Sequence, residues 1–262
     1  NSFPWPSQQA AYAPQIKALA ALWKKGSATV ETMGETGRKF KKAFPVTPTQ
    51  AQVQLVDPFG NTTPVETSVW YQSRFYRANL HFKGDLPYLR DITVYSDTFA
   101  QPFLNAATRL EDVEQRMPSV LDGYHWRTDT HSRTEPGAGG FFISNGTRLV
   151  KTGKVVVKET GKRMTVFVPV QDEMMLRIQF DEKQVSVTLQ STSSDRILPL
   201  DLAFEWDVAK SGMTRVMLHQ VDFKADAFDY SIGIRGGIAN DTPKGWTVSS
   251  DGGFVLELAQ RR

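Results

Sequence analysis

The chain has 262 residues, of which 40% are hydrophobic and 23% charged, a composition that excludes disordered, collagen-like and coiled-coil proteins and allows one large β domain with a smaller appendage. Its formal charge of +3 is unevenly spread, with seven basic and two acidic residues in positions 1–50 against 24 and 26 in positions 51–262. A main body with a slight acidic excess disfavours nucleic acid as a partner, because nucleic-acid binders carry a dense basic stripe on their folded surface.

Residues 8–25 have a helical period, with Tyr12, Ile16, Leu19 and Trp23 at steps of three and four and Gly26 after the last turn. The period continues through Val30, Met33, Gly37, Phe40 and Phe44 until Pro45 stops it. Arg38, Lys39, Lys41 and Lys42 gather in its last turns, where positive charge complements the helix dipole. Residues 1–45 are therefore expected to form a basic amphipathic arm, either docked on its own domain or presented to a protein partner or leading from an anchor. The apolar run Ala18 to Trp23, bracketed by Lys17 and Lys24, is far shorter than the ~20 residues that span a bilayer.

From Ala51 the period changes to two, with strands expected at 51–57, 66–72, 75–83 and 90–96. One internal helix is expected between Asp97 and Pro118, with Phe103, Ala106, Leu110, Val113 and Met117 on one face. The second half alternates strictly. Val155 to Lys158 turns at Gly161 into Met164, Val166, Val168 and Val170, and Leu176, Ile178 and Phe180 turn at Asp181 to Lys183 into Val185, Val187 and Leu189. Further strands fit 200–208, 214–223, 228–235, 245–249 and 253–258. Many short strands separated by turn residues predict, for residues 46–262, a mainly antiparallel β-sandwich or jelly roll following the helical arm.

Two segments concentrate side chains with chemical capability. In an extended conformation His125, Arg127, Asp129, His131, Arg133 and Glu135 project to one side. His125 or His131 can serve as a base, Asp129 and Glu135 can orient an imidazole, and Arg127 or Arg133 can pair with an acid group on a polysaccharide. The alternative is an exposed strand whose alternating charges pair with a neighbour. A metal held by His125, Asp129 and His131 together is excluded on a straight strand, where the outer two are some ~20 Å apart; only Asp129 with His131 and ligands from elsewhere is left, no established metal-binding spacing is present, and no metal and no cofactor are expected.

The run from Trp70 to Arg77 mixes aromatic rings with guanidinium groups, which can stack on sugar rings and hold charged substituents. Read as one strand, it places Trp70, Gln72, Arg74 and Tyr76 together. Trp70, Arg74 and Tyr76, with Tyr124 and Trp126 of the polar segment, are the candidate ligand-binding residues. Asp201, Glu205 and Asp207 have the spacing of a carboxylate pair, but any acidic amphipathic strand gives that spacing. His219 is expected to be an ordinary surface or core histidine.

The glycine cluster 137–140 lacks a phosphate-loop context, and no Gly-x-Ser-x-Gly elbow occurs. With no cysteine in the chain, disulfides, thiolate zinc sites and thiol nucleophiles are removed, and an oxidising, extracytoplasmic setting, periplasmic or secreted, is the expected compartment. The initial Asn1-Ser2-Phe3 fits a processed or truncated chain. The expectation is a non-catalytic extracytoplasmic binding or assembly module that takes a protein partner through the arm, or a glycan. Its rival is a polysaccharide hydrolase or lyase acting through residues 125–135.

Overall fold

The computed structural model describes residues 5–54, 67–100, 117–122, 140–205, 212–243 and 245–260. The internal helix expected after Asp97, the polar segment 125–135, Asp207 and most of the glycine cluster lie outside them. The chain divides into two compact units, 1–47 and 48–262.

The first unit holds two helices. Helix α1 spans Trp5–Lys24 and α2 spans Met33–Ala43. A reciprocal cap starts α2: the Glu35 amide donates to the Thr32 hydroxyl at 3.3 Å, and the Glu35 carboxylate accepts from the Thr32 amide at 2.8 Å. Such caps satisfy amides that the first turn leaves open, which is how a segment containing Gly34 and Gly37 holds a helix.

The second unit is a two-sheet antiparallel sandwich. Its strands begin with β1 (Gln50–Gln54), β2 (Thr67–Gln72), β3 (Tyr76–Lys83), β4 (Leu86–Val94), β5 (Ser119–Asp122), β6 (Gly140–Asn145) and β7 (Thr147–Arg148). There follow β8 (Val156–Thr160), β9 (Arg163–Val170), β10 (Met174–Asp181), β11 (Gln184–Ser191), β12 (Ile197–Leu198) and β13 (Leu200–Glu205). Last come β14 (Met213–Met217), β15 (Gln220–Ala225), β16 (Phe228–Arg235), β17 (Ile238–Thr242), β18 (Gly245–Ser250) and β19 (Phe254–Glu257). The first sheet runs β1-β2-β3-β4-β6-β13-β18-β17, with β5 also on β4 and β7 on β6. The second runs β14-β15-β16-β19-β11-β10-β9-β8, with β12 on β11.

Alternate residues of both sheets form one core. Val69, Ala78, Leu80 and Ile92 of the first join Val166, Leu176, Ile178 and Val187 of the second in a single apolar cluster, the arrangement that aligned sheets adopt to hide one face each. Three tyrosines then tie sheet to sheet. The Tyr71 hydroxyl donates to the Lys162 carbonyl at 2.6 Å, the Tyr230 hydroxyl to Ser119 at 2.7 Å, and the Tyr76 hydroxyl lies 2.7 and 2.9 Å from the carbonyls of Asp181 and Gln184. A buried phenol needs such a partner, and backbone carbonyls at the hairpin ends and strand ends of the facing sheet, each with a second lone pair, supply it.

Two expectations are corrected. The stretch 214–223 is two strands, β14 and β15, joined at Leu218-His219. No glycine marks this turn because its carbonyls are held from outside, by the amides of Ala239 on Leu218 and Ile234 on His219, both at 2.8 Å. The run 70–77 is a hairpin, with β2 ending at Gln72 and β3 starting at Tyr76. Tyr76 therefore does not share the face of Trp70: it is fully buried in the core and offers no surface to a ligand.

Candidate functional site

In an antiparallel ladder, directly paired residues share a face, so the register builds rows across the first sheet. Gln52 pairs with Trp70, Trp70 with Asn79, Asn79 with Asp91 and Asp91 with Asp122. A second row runs Gln50, Gln72, Arg77, Thr93 and Ser119. A third runs Gln54, Ser68, His81, Tyr88 and Phe142. The intervening rows, such as Ala51, Tyr71, Ala78, Ile92 and Leu121, face the core.

A bulge makes the rows continuous. Leu80 pairs with Leu89 but Asn79 pairs with Asp91, leaving Arg90 as an extra residue. Such an insertion re-aims side chains: Tyr88 and Asp91, three apart, come to the same face. The Arg90 Nε then donates to Asn79 Oδ1 at 3.0 Å.

This polar face deepens from β1 toward β4. Gln50 and Gln52 are exposed, Trp70, Gln72 and Arg77 half-buried, and Asn79, His81, Asp91, Thr93 and Asp122 buried. Arg77 grips Asp91 with both ends of its fork, Nε to Oδ1 at 3.0 Å and Nη2 to Oδ2 at 3.1 Å, and the Thr93 hydroxyl donates to the same carboxylate at 3.3 Å. Burial pushes the Asp91 carboxyl above its ordinary range against the pull of Arg77, and the neighbouring Asp122 adds to the rise. Burial works downward on the Arg77 guanidinium, but the hydrogen bonds and charge of Asp91 outweigh it and hold the cation.

At the shallow end lies a groove of about 610 Å³ bordered by Gln50, Gln52, Trp70, Gln72 and Arg77, together with Ala51 and Tyr71. Its volume is that of a small-ligand site. Three amides, one indole and one guanidinium border it, a set able to donate to and accept from hydroxyl groups beside a flat ring surface.

Of the candidate ligand-binding residues that are described, Trp70 borders this groove and Arg74 and Tyr76 do not, while Gln72 and Arg77 of the same run border it with Trp70. Arg74 sits at the hairpin turn, 3.5 Å from the Glu182 carboxylate and with its guanidinium carbon 4.5 Å from the Phe75 ring centroid. There it borders a different cleft of about 1050 Å³ that also involves Tyr95, Lys183 and Phe228. His125, Arg127, Asp129, His131, Arg133, Glu135, Tyr124 and Trp126 lie outside the described residues. Asp201 is half-buried on β13. His219 occupies the β14–β15 turn, its Nδ1 3.2 Å from the Gly237 carbonyl. Gln50, Gln52, Asn79, Asp91 and Asp122 were not anticipated. Their only local signal is the alternation Arg77, Asn79, His81, Lys83 on β3, because the row itself draws on positions 52, 70, 79, 91 and 122.

No protein-family model and no curated protein matches the chain. Among solved structures it is similar to the periplasmic domain of the Thermotoga maritima YidC, at 13% identity and a TM-score of 0.42 over 74% of this chain and 84% of that one. It is also similar to an active YidC insertase with its first transmembrane domain resolved, at 12% identity and a TM-score of 0.44 over 87% and 44% of the two chains. The match to the Thermotoga maritima YidC structure has 10% identity and a TM-score of 0.44 over 81% and 51%. The chain thus spans about half the length of these last two proteins.

Proposed function

We propose that this chain is a non-catalytic, extracytoplasmic binding module whose groove on the outer face of the first sheet takes a carbohydrate-type ligand. The observation that carries this reading is the row of Gln52, Trp70 and Asn79 beside Gln50, Gln72 and Arg77, which sets an indole among amide and guanidinium donors at a groove of about 610 Å³. Rings stack on indole faces, and hydroxyls take paired bonds from amides. Arg77 adds a cation for an acidic substituent.

Among the described residues, the state of Asp91, the carboxylate paired to the groove residue Arg77, supports binding without turnover. Asp91 is 2% exposed and held by both nitrogens of Arg77, so it is not presented to a glycosidic oxygen as an acid would need to be. The cysteine-free composition supports the extracytoplasmic setting. The arm is a separate, basic unit.

The test is retention on a panel of neutral and acidic polysaccharides, with mass spectrometry of the supernatant for released oligosaccharides. Retention without product, lost in Trp70→Ala while the thermal midpoint holds, is expected. Released product would make the chain an enzyme and direct attention to residues 125–135. Retention unaffected by Trp70→Ala would remove the groove from the account.

A further inference from the structure

The N-terminal unit carries a second surface, independent of the groove. On α1, Tyr12, Ile16, Leu19 and Trp23 fall within one narrow stripe at the helical period, and Lys17 and Lys24 stand away from it. The stripe is open: Ile16 is 56%, Leu19 58% and Trp23 55% exposed. On α2, Met33 and Phe40 share a face with Phe44 just beyond the last turn, and the rings of Phe40 and Phe44 lie 4.8 Å apart. All three are exposed, and α2 has no buried residue. Lys39 is paired with Glu31; Arg38, Lys41 and Lys42, on the flanks and back of the same helix, have no ion-pair partner among the described residues. The unit as a whole carries seven basic and two acidic side chains.

Open apolar stripes of this size mark a surface that meets something. Aromatic and aliphatic residues on one side of a helix, with lysine and arginine on its flanks, are what lets a helix lie in a bilayer interface. Neither helix is long and apolar enough to cross a membrane. The one-signed polar side selects an anionic surface, because the apolar stripe alone attracts neutral and charged bilayers alike. We propose that residues 5–44 bind the surface of an anionic phospholipid bilayer, with Ile16, Leu19, Trp23, Met33, Phe40 and Phe44 entering the headgroup boundary and Arg38, Lys41 and Lys42 meeting lipid phosphates.

The experiment is flotation of the full chain with vesicles of equal parts phosphatidylglycerol and phosphatidylcholine, beside vesicles of phosphatidylcholine alone, at low and high salt. Strong, salt-sensitive flotation with the mixed vesicles and weak flotation with the neutral ones is expected. Each basic side chain near such a surface contributes a factor of about five, so Arg38→Gln, Lys41→Gln and Lys42→Gln together lower the partition constant about a hundredfold. Phe40→Ser with Phe44→Ser also weakens flotation but keeps its salt dependence. Circular dichroism checks that each variant retains the sandwich. Failure of the folded chain to float with anionic vesicles, or equal flotation with both compositions that survives the triple charge replacement, would overturn the proposal. In that event a protein partner for the arm is the remaining reading.

Discussion

Replacing Tyr76 by phenylalanine separates a structural role from a ligand-binding one. The side chain is fully buried, with its hydroxyl 2.7 Å from the Asp181 carbonyl and 2.9 Å from that of Gln184. Those two residues pair across the β10–β11 turn, so one phenol proton on the first sheet serves both closing carbonyls of a hairpin on the second. Phenylalanine keeps the ring and its packing, and removes from both carbonyls the phenol proton they share. An unsatisfied buried acceptor costs about 1–3 kcal/mol, and with two acceptors sharing one proton about 2 kcal/mol is expected. For a unit of residues 48–262 each kcal/mol lowers the thermal midpoint by about 2–4 °C, so a fall of about 4–8 °C follows. Tyr71→Phe is the internal comparison, since its hydroxyl reaches only the Lys162 carbonyl and its cost should be near ~1 kcal/mol. Calorimetry reads both, beside polysaccharide retention. Glycan retention should be unchanged in Tyr76→Phe; a variant that keeps its midpoint and loses retention would refute the core assignment.

Burial raises the phenol pKa values of Tyr71, Tyr76 and Tyr230 above the ordinary range. Unfolded phenols lose their protons near ~10, so above that pH the native state holds protons the unfolded state has released, and stability falls as pH rises. Alkaline titration should show these three phenolates forming only as the tertiary circular dichroism collapses; all seven tyrosines ionising with the fold intact would contradict this. Arg77→Ala leaves Asp91 buried without its bidentate partner, and because Arg77 itself keeps partial exposure the cost belongs at the low end for a broken buried pair, about 3 kcal/mol. That cost should shrink on acidification, since the raised carboxyl pKa favours a neutral Asp91 in the fold; urea melts at several pH values test it, and a pH-independent loss would argue against a buried charge as its source. Gly253→Ala meets a φ of +90° and would place Cβ 2.6 Å from Thr188 Cγ2 and 2.8 Å from the Val187 carbonyl, costing about 2–3 kcal/mol. Gly252→Ala, with nothing within 4 Å of its Cβ, should stay within ~0.5 kcal/mol, and equal losses at the two sites would refute the steric account.

The hairpins of the second half were legible because each strand carries its own period-two signal and a turn marked by local chemistry, as at Gly161, where φ is +59°. Position 218 shows the limit: the continuous apolar run around Leu218 hides a turn whose hydrogen bonds come from Ile234 and Ala239. Parity failed at Ser73 for a similar reason. Its buried hydroxyl donates to the Glu182 carbonyl at 2.7 Å and accepts from the amides of Phe75 and Tyr76, closing a turn without glycine or proline. The groove was half legible. Trp70 stands out by type, but Asn79, Asp91 and Asp122 are ordinary residues until the ladder aligns them, and a strict period of two would put Tyr88 and Asp91 on opposite faces, where the extra residue at Arg90 brings them to one.

The two outer faces of the sandwich differ in a way that bears on where a ligand goes. Both inner faces are spent on one core, so recognition falls to outer faces and ends. On the second sheet the outer residues Arg177, Gln179, Ser186, Thr188 and Gln190 remain exposed or half-buried, the ordinary condition of a solvated β surface. On the first, Asn79, His81, Asp91, Thr93 and Asp122 are buried. Buried polar groups cost free energy unless they find partners, and here Arg77 and Thr93 supply them to Asp91, and Arg90 to Asn79, at 3.0–3.3 Å. Such a network fixes the directions of its members, and Arg77 belongs both to it and to the groove. On the proposed function, the guanidinium that would meet a ligand is held in place before the ligand arrives, so part of the ordering cost of binding would be met by the fold. Under the proposed function, that coupling favours the first sheet over the second as the binding surface, at the boundary where its buried polar rows come out to solvent beside Trp70.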